Sequence, residues 1–412
     1  MRTQWFFYDE WDFLKLDSGN LFAPHVEHWS TSPALIYDGL RTVFGLHSYY
    51  PFATLVIIAH LAAAHLIWQV ARASGANDWV ATTTTAIFVV LGSGSENILW
   101  AFQIGFVGAM AFGLLAVRLA NRRELSRSRF LAILAISLFS LTWSGTSIPL
   151  VVATGLVLWR RTGWRRAAIF VAVTASVYLI WFALAAPEIG DTGGLGLYKV
   201  FVLMPLFVGV VFFVGFPYTF PIIGVGQVIV VAVAAWAVTA LVRRRGVSQL
   251  VPAFSLGAAA LVFAVLTAYS RATLSVASGA SSRYIYTIFL LTLPLMAVAL
   301  SRLLGNRRKA VGWSSVILIV FAGYTAGVLS VASYTQSAIE QGTRHLISAS
   351  LSLYLDGEGS IEMDRRPDAQ WASRLRMSDL VALYEHGYID VTGFSPSELE
   401  QAKINIGFTP KK

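Results

Sequence analysis

The amino-acid sequence predicts an all-α protein, a polytopic bundle of about ten transmembrane helices with a small C-terminal tail outside the membrane. Three observations lead to this prediction. Hydrophobic residues make up 56% of the 412 residues and charged residues only 13%, which is far from the composition of a soluble domain. Apolar runs recur along the chain, and many approach the roughly 20 residues that a crossing requires. Lysine and arginine collect in short loops between these runs.

The apolar runs divide the chain into a first loop (residues 1 to 48), a helical bundle (49 to 333) and a tail (334 to 412). Some runs are short, and short or interrupted helices are tolerated where protein or water covers their backbone. The ten predicted crossings are residues 49 to 71, 79 to 92, 98 to 118, 129 to 144, 147 to 159, 167 to 186, 221 to 242, 249 to 269, 284 to 302 and 311 to 333.

Positive charge orients the bundle. Of the 31 lysines and arginines, 17 lie in five short loops, and loops on the inner side of a membrane retain such residues. The first loop, the tail and the remaining loops then fall on the outer side. This clustering accounts for the net charge of +9 without a nucleic acid partner. The five basic loops contain Arg72, Arg118 to Arg129, Arg160 to Arg166, Arg243 to Arg245 and Arg302 to Lys309.

The stretch from Lys199 to Val242 is long enough for two crossings, but two crossings would place the arginines at 243 to 245 outside. Residues 199 to 217, which are interrupted by prolines and glycines, are therefore predicted to be re-entrant or to lie in the outer interface. The first loop must cross the membrane to reach the outer side, yet no signal peptide precedes it. One further transmembrane helix is therefore predicted ahead of Met1.

Cysteine is absent, which excludes disulfides, thiol redox chemistry and thiolate metal sites. The tail mixes acidic, basic and apolar residues with turn signals. It is predicted to form a small, partly helical outer domain.

The strongest candidates for chemistry lie in the first loop, in the segment Tyr8-Asp9-Glu10-Trp11-Asp12. One carboxylate of a close pair can remove a proton from an incoming hydroxyl while its neighbour raises its pKa or holds a cation. Asp9 and Glu10 are the predicted catalytic pair, and Asp12 is a predicted substrate contact. The alternative is a solvated interfacial loop whose tryptophans belong to the aromatic belt of the membrane.

His25, Glu27 and His28 form a second cluster in the same loop. Imidazole and carboxylate groups at this spacing suit a divalent metal ion, and the same side chains are alternatively contacts for the substrate. A short cluster of this kind also arises by chance in a loop. A divalent metal is the one cofactor that the sequence suggests.

Glu96 lies in the turn Gly92-Ser93-Gly94-Ser95-Glu96-Asn97 between two predicted crossings, with Gln103 two turns later. Charged residues near membrane depth are costly and mark sites, so Glu96, Asn97 and Gln103 are predicted substrate contacts. The alternative is a purely structural role at a helix start, with Ser95 as its N-cap and Glu96 at the positive end of the helix dipole. The two interpretations are compatible.

Arg271 and Arg283-Tyr284 fall on the same outer side, where arginine is rare. An arginine at a helix start is well suited to a phosphate group. Arg271, Arg283 and Tyr284 are therefore predicted to bind the phosphate of a substrate. The alternative is an arginine that snorkels to the interface.

These motifs together resemble the GT-C superfamily of membrane glycosyltransferases. The resemblance rests on the Asp-Glu-Trp-x-Phe-Leu segment at Asp9, the Pro-His-x-Glu-His run at Pro24, the Ser-Glu-Asn-x-Leu-Trp-x-Phe-Gln-x-Gly run at Ser95, and the Ser-Arg-Tyr triplet at Ser282. In layout it covers most of residues 5 to 333 and is similar to bacterial protein O-mannosyltransferases and aminoarabinose transferases.

The resemblance implies a bacterial inner-membrane enzyme whose active site faces outward. Its donor would be a sugar linked to a polyprenyl phosphate, and its acceptor a lipid, a glycan or a protein. It implies that Asp9 or Glu10 is the base, that Glu96 assists, and that Arg271 or Arg283 holds the lipid phosphate. The departure from the family plan is the helix that precedes the acidic motif in these enzymes and is absent from this sequence.

Two other functions remain open at the level of sequence. A lipid or sugar transporter would use Glu96, Gln103 and the interrupted segment near Pro205 to line a path. A non-catalytic relative would keep the bundle and act as an assembly partner through residues 334 to 412.

Overall fold

The structure is a computed structural model that describes residues 4–16, 20–186, 196–243 and 247–411. Helices make up nearly all of its regular structure. Within the described residues, eight helices are long and apolar enough to cross a membrane. The predicted all-α class and membrane character are confirmed at this level.

The helices are numbered in chain order. Residues 199–219 form one helical segment, α10, with π-helical turns on both sides of Met204–Val210. The bounds are α1 Trp11–Leu14, α2 Thr31–Phe44, α3 Tyr50–Ala73, α4 Asp78–Val89, α5 Glu96–Leu99, α6 Ile104–Ala120, α7 Arg127–Leu141, α8 Ile148–Thr162, α9 Trp164–Ala185, α10 Lys199–Thr219, α11 Val225–Val242, α12 Val247–Arg271, α13 Ser282–Leu304, α14 Arg307–Asp356, α15 Met377–Glu385 and α16 Pro396–Ile406. Two small antiparallel sheets pair β1 Pro24–His25 with β2 His28–Trp29, and β3 Gly359–Ser360 with β4 Thr409–Pro410.

Seven candidate spans coincide with predicted crossings, namely α3, α6, α9, α11, α12, α13 and α14. The predicted crossings at 79 to 92, 129 to 144 and 147 to 159 form the shorter helices α4, α7 and α8, with 12, 15 and 15 residues. These three helices fall short of the roughly 20 residues that a bilayer core requires. Their shared feature is a 3-10 turn or break at the end that faces the candidate site.

The loops of the bundle separate into two ends. At the basic end, the Asn77 N–H donates to Ser301 Oγ at 2.9 Å and Arg161 Nε donates to Asn121 Oδ1 at 2.8 Å, which brings four of the basic loops together in two pairs. At the opposite end, called the site end here, the Glu96 N–H donates to the Ser282 hydroxyl at 3.1 Å. The sequence assigns the site end to the outer side of the membrane.

The α10 segment is continuous, contrary to the prediction that its prolines and glycines break it. A wider π-helical turn precedes Pro205, and such turns are among the local adjustments that accommodate a missing N–H inside a helix. Both ends of α10 nevertheless contact the site end. The Lys199 ammonium lies 4.5 Å from the Tyr269 ring centroid, and the Thr219 and Ser93 hydroxyls lie 3.0 Å apart. These contacts favour the predicted interfacial placement, although α10 has the length and composition of a span.

The predicted boundary between bundle and tail at residue 333 falls inside a helix. α14 has 50 residues and is about 75 Å long at 1.5 Å per residue, so it leaves the bundle at the site end and continues into the tail. There the aromatic start of the chain and the tail share one hydrophobic core. We call this unit the cap, defined as residues 4–16 together with 340–411; a hydrogen bond from the Trp5 N–H to Glu340 at 3.0 Å ties its two parts together.

Close packing of α6 on the end of α7 predicts a stability effect. A Cβ at Gly108 would lie 2.1 Å from Trp143 Cε3, and Trp143 is wedged against Phe112 and Phe139 with centroids at 5.3 and 5.8 Å. Gly108→Ala should destabilise the protein by about 1–3 kcal/mol, the range for overpacking, which melting in detergent would measure. The control is Gly312→Ala in α14, where nothing lies within 4 Å of the new methyl group and alanine favours the helix. Equal melting temperatures for the two variants would contradict this packing.

Candidate functional site

A cavity of about 250 Å³ lies at the site end, between the first loop and the bundle. The first loop contributes Asp9, His25, Glu27 and His28 to its lining. The bundle contributes Gln103, Arg271, Arg283 and Tyr284. The fold therefore brings most of the predicted site residues together around one space, although they are separated by up to 275 positions in the sequence.

Asp9 is the member of the predicted catalytic pair that reaches the cavity. It lies in the 3-10 turn Tyr8–Glu10, whose Tyr8 N–H donates to the Trp371 carbonyl of the cap. Burial raises the pKa of Asp9 above its ordinary value, although nearby His25, Arg374 and Arg283 lower it in part. A carboxylate with a raised pKa is the stronger base, which suits proton removal near neutral pH.

Glu10 points away from the cavity, towards Tyr37 of α2 and Tyr49 just before α3, so the structure separates the predicted catalytic pair. Its side chain is fully buried. One carboxylate oxygen accepts hydrogen bonds from the Tyr37 and Tyr49 hydroxyls at 2.7 and 3.0 Å, and the other accepts from the Phe7 N–H at 3.0 Å. Burial raises the pKa of Glu10 to about 8. These contacts give Glu10 a role in holding the Asp9 turn, and only Asp9 is kept as the proposed base.

Asp12 lies beside the cavity lining and joins Asp9 and His25 in a cluster. Potential ligand atoms of the three residues lie within 4.8 Å of one another, whereas Glu27 and His28 of the predicted metal triad face other partners. Asp12 is also 3.5 Å from both Lys15 and Arg374. Lys15 and Arg374 already neutralise the Asp12 carboxylate and so compete with a metal ion for it. The proposed reaction therefore includes no metal step.

A strained hairpin presents His25, Glu27 and His28. β1 and β2 pair His25 with His28, and Val26 in the turn has φ +55°, a conformation that is costly for a β-branched residue. Tyr8, next to Asp9, also has a positive φ, of +56°. Backbone strain of this kind persists where the surrounding structure over-determines it and is common at active sites.

The hairpin is anchored on the bundle by aromatic stacking. The Trp29 and Trp181 rings are parallel to within 3° with centroids 5.1 Å apart, and the indole Nε1–H of Trp181 donates to the Phe22 carbonyl at 3.0 Å. His28 packs edge-on against Phe106 at 5.5 Å. Burial lowers the pKa of His28 to about 4, which keeps its imidazole neutral at pH 7.

Each predicted phosphate-binding arginine faces an acid. Arg271 donates to Glu27 at 2.6 Å, an ion pair that joins the end of α12 to the hairpin. Arg283 Nε is 3.8 Å from Glu96 Oε2, beyond hydrogen-bonding distance, and both atoms are buried without a hydrogen-bond partner among the described residues. Arg283 thus keeps a buried donor beside the cavity.

The other predicted contacts divide between lining and support. Gln103 and Tyr284 line the cavity. Glu96 is the first residue of α5 and faces the site through its partner Arg283. The Ser95 side chain makes no N-cap hydrogen bond at this helix start. Asn97 is fully buried and lies outside the cavity lining.

Arg374 and Thr146 are among the residues at the site that were not anticipated from the sequence. Arg374, from a loop of the cap, acts on Asp9 and Asp12, and no motif marks it. Thr146 lines the cavity from the turn that follows Trp143-Ser144. That aromatic and serine pair near the outer end of a predicted crossing was the only signal for it.

Comparison with models of protein families, with curated proteins and with solved structures found no match for this chain. Its function is therefore argued from the chemistry of the cavity.

Proposed function

We propose that this chain is an integral-membrane glycosyltransferase that moves a sugar from a polyprenyl phosphate to an acceptor hydroxyl at the outer face of a bacterial inner membrane. The observation that carries the proposal is one cavity bounded by a basic carboxylate, Asp9, and by two arginines, Arg271 and Arg283. Activation of a hydroxyl and capture of a leaving phosphate are the two requirements of such a transfer.

In the proposed reaction, the Asp9 carboxylate takes the proton of the acceptor hydroxyl. The hydroxyl oxygen forms a bond to the anomeric carbon of the sugar, and the bond from that carbon to the phosphate oxygen breaks. The electron pair leaves with the polyprenyl phosphate, whose charge Arg271 and Arg283 stabilise. A single displacement of this kind inverts the configuration at the anomeric carbon.

The walls of the cavity suit a lipid-linked donor. Phe182 of α9 and Phe263 and Leu266 of α12 contribute an apolar side between membrane helices, which would accept the first units of a polyprenyl chain. The position of the cavity at the end of the bundle would leave the polar acceptor in water. These features support a lipid-borne donor over two soluble substrates.

Purified protein in proteoliposomes provides the direct test. Polyprenyl phosphates carrying radiolabelled sugars would be supplied with water-soluble and lipid acceptors, and label transferred to an acceptor would support the proposal. Flux of donor lipid or sugar across the vesicle membrane, with no transfer of label, would instead indicate the transporter. Absence of both would contradict catalysis.

Arg283 provides a prediction for donor binding. Arg283→Gln removes a charge-assisted donor that is worth roughly 1.5–3 kcal/mol, so kcat/KM for the donor should fall about 10- to 100-fold, through a higher KM for the bound phosphate and a lower kcat for its departure. The matched control is Arg308→Gln at the basic end, which makes the same chemical change far from the cavity. An unchanged kcat/KM in the Arg283 variant would remove this residue from the phosphate site.

A further inference from the structure

The lining of the cavity carries buried polar atoms that have no hydrogen-bond partner among the described residues. Gln103 is fully buried, and neither its amide oxygen nor its amide nitrogen is bonded to another described residue. Thr146 is 5% exposed, and its hydroxyl is also without a partner. Both side chains line the cavity. Since buried polar groups in folded proteins are almost always paired, this lining has the character of a binding surface.

His28 adds a third polar side chain to the cavity lining. Its Nδ1 is buried and has no hydrogen-bond partner among the described residues. A Cβ at Gly145 would lie 3.0 Å from Nδ1, so the glycine leaves space beside the imidazole. Together these three side chains offer donors and acceptors without net charge.

The charged groups around the cavity balance in number. Arg271 donates to Glu27, and Arg283 faces Glu96. Asp9 and Asp12 are opposed by Arg374 and Lys15. Beyond the phosphate of the donor, an ammonium or carboxylate group on the sugar itself would therefore add a buried charge without a counter-ion, which is costly. A neutral ligand avoids that cost.

Aromatic rings flank these polar side chains. Phe102 and Phe106 line the cavity on either side of Gln103 in the sequence, and Phe102 is fixed by stacking on Trp100 with centroids 5.0 Å apart. Phe102 also stacks on Phe13, with centroids 5.4 Å apart, so its contribution to the cavity is rigid apolar surface. Apolar aromatic surface beside neutral donors and acceptors fits a ring that presents both C–H groups and several hydroxyl groups.

We infer that Gln103, Thr146 and His28 form a subsite for a neutral hexose-like sugar, flanked by Phe102 and Phe106. The inference rests on the proposed function in that this ring would be the sugar transferred. It goes further by excluding amino sugars and uronic acids as the preferred substrates.

Binding can be measured without any turnover. The protein would be placed in lipid nanodiscs and examined by saturation-transfer NMR with neutral methyl hexopyranosides, the methyl glycoside of glucosamine and methyl glucuronide. At least one neutral hexoside should bind at least ten-fold more tightly than both charged sugars. Gln103→Met, which keeps the length of the side chain, should weaken that binding at least ten-fold.

The control is Gln249→Met, the same change at the exposed start of α12 near the basic end. Thr146→Val, which keeps the shape of threonine, is a second variant should Gln103→Met fold poorly, and it should also weaken binding. Wild-type affinity in both folded variants, or tighter binding of a charged sugar, would overturn the subsite.

The outcomes separate the subsite from the proposed reaction. Binding of a neutral hexoside that depends on Gln103, with no transfer from any lipid-linked donor, would leave the subsite in place and reject the glycosyltransferase. Transfer of an amino sugar or a uronic acid, or transfer that is indifferent to Gln103, would reject the subsite and keep the glycosyltransferase.

Discussion

Replacement of Asp9 by asparagine should lower the turnover of sugar transfer by roughly 10²- to 10⁴-fold, the contribution of a positioned general base. Asparagine has nearly the same size and keeps an acceptor oxygen, but it does not take up a proton at neutral pH. The Asp9 turn is fixed by the cap through the Tyr8 N–H and by the buried Glu10, so the variant should fold. The measurement is kcat in proteoliposomes with saturating donor, together with the melting temperature.

The pH profile distinguishes a lost base from a damaged site. Because burial raises the pKa of Asp9, wild-type activity should fall as pH decreases through a value above the ordinary aspartate pKa of about 3.9. The residual activity of the asparagine variant should lack this acidic limb. Asp364→Asn is the matched control, since this acid of the cap is 94% exposed. Near wild-type turnover in Asp9→Asn would reject Asp9 as the base.

The membrane character and the grouping of the site were predictable from the sequence for simple reasons. Long apolar runs have few structures open to them other than a helix in lipid, and arginine-rich loops set which ends lie together. Once those ends were assigned, Asp9, Glu27, Gln103, Arg271 and Arg283 were expected on one side. All of them line the same cavity.

The finer arrangement depends on contacts that hydropathy does not encode. Asp9 and Glu10 are adjacent in sequence, yet a 3-10 turn directs Asp9 to the cavity and Glu10 to the hydroxyls of Tyr37 and Tyr49. Arg374 joins the site from a loop that carries no motif. α14 continues past residue 333 because its later turns pack on the cap, where a buried apolar face replaces lipid as the partner of the helix. Each outcome was decided by tertiary packing.

Glu10 should prove essential for stability but dispensable for chemistry. Glu10→Ala leaves the Phe7 N–H and the Tyr37 and Tyr49 hydroxyls without their acceptor, at a cost of roughly 1–3 kcal/mol for each buried group that stays unpaired. The melting temperature in detergent should therefore fall sharply. Glu10→Gln keeps an oxygen for the N–H and offers an amide to the hydroxyls, so it should retain both the fold and transfer activity within a few-fold of wild type.

The pH dependence of stability tests the environment of Glu10. Its pKa is about 8 in the folded protein and about 4.3 in an unfolded chain, so the folded state binds more protons between these values. Protonation of Glu10 therefore contributes to the free energy of unfolding of the wild type. This contribution is fully present below pH 4 and is lost as pH rises through 8, on the order of a few kcal/mol in total. Glu10→Gln carries no titrating proton, so its stability relative to wild type should increase from pH 5 to pH 9. Parallel pH profiles for the two proteins would show that the carboxyl group is ionised within the cap. In that case its three hydrogen bonds would outweigh the desolvation that burial imposes.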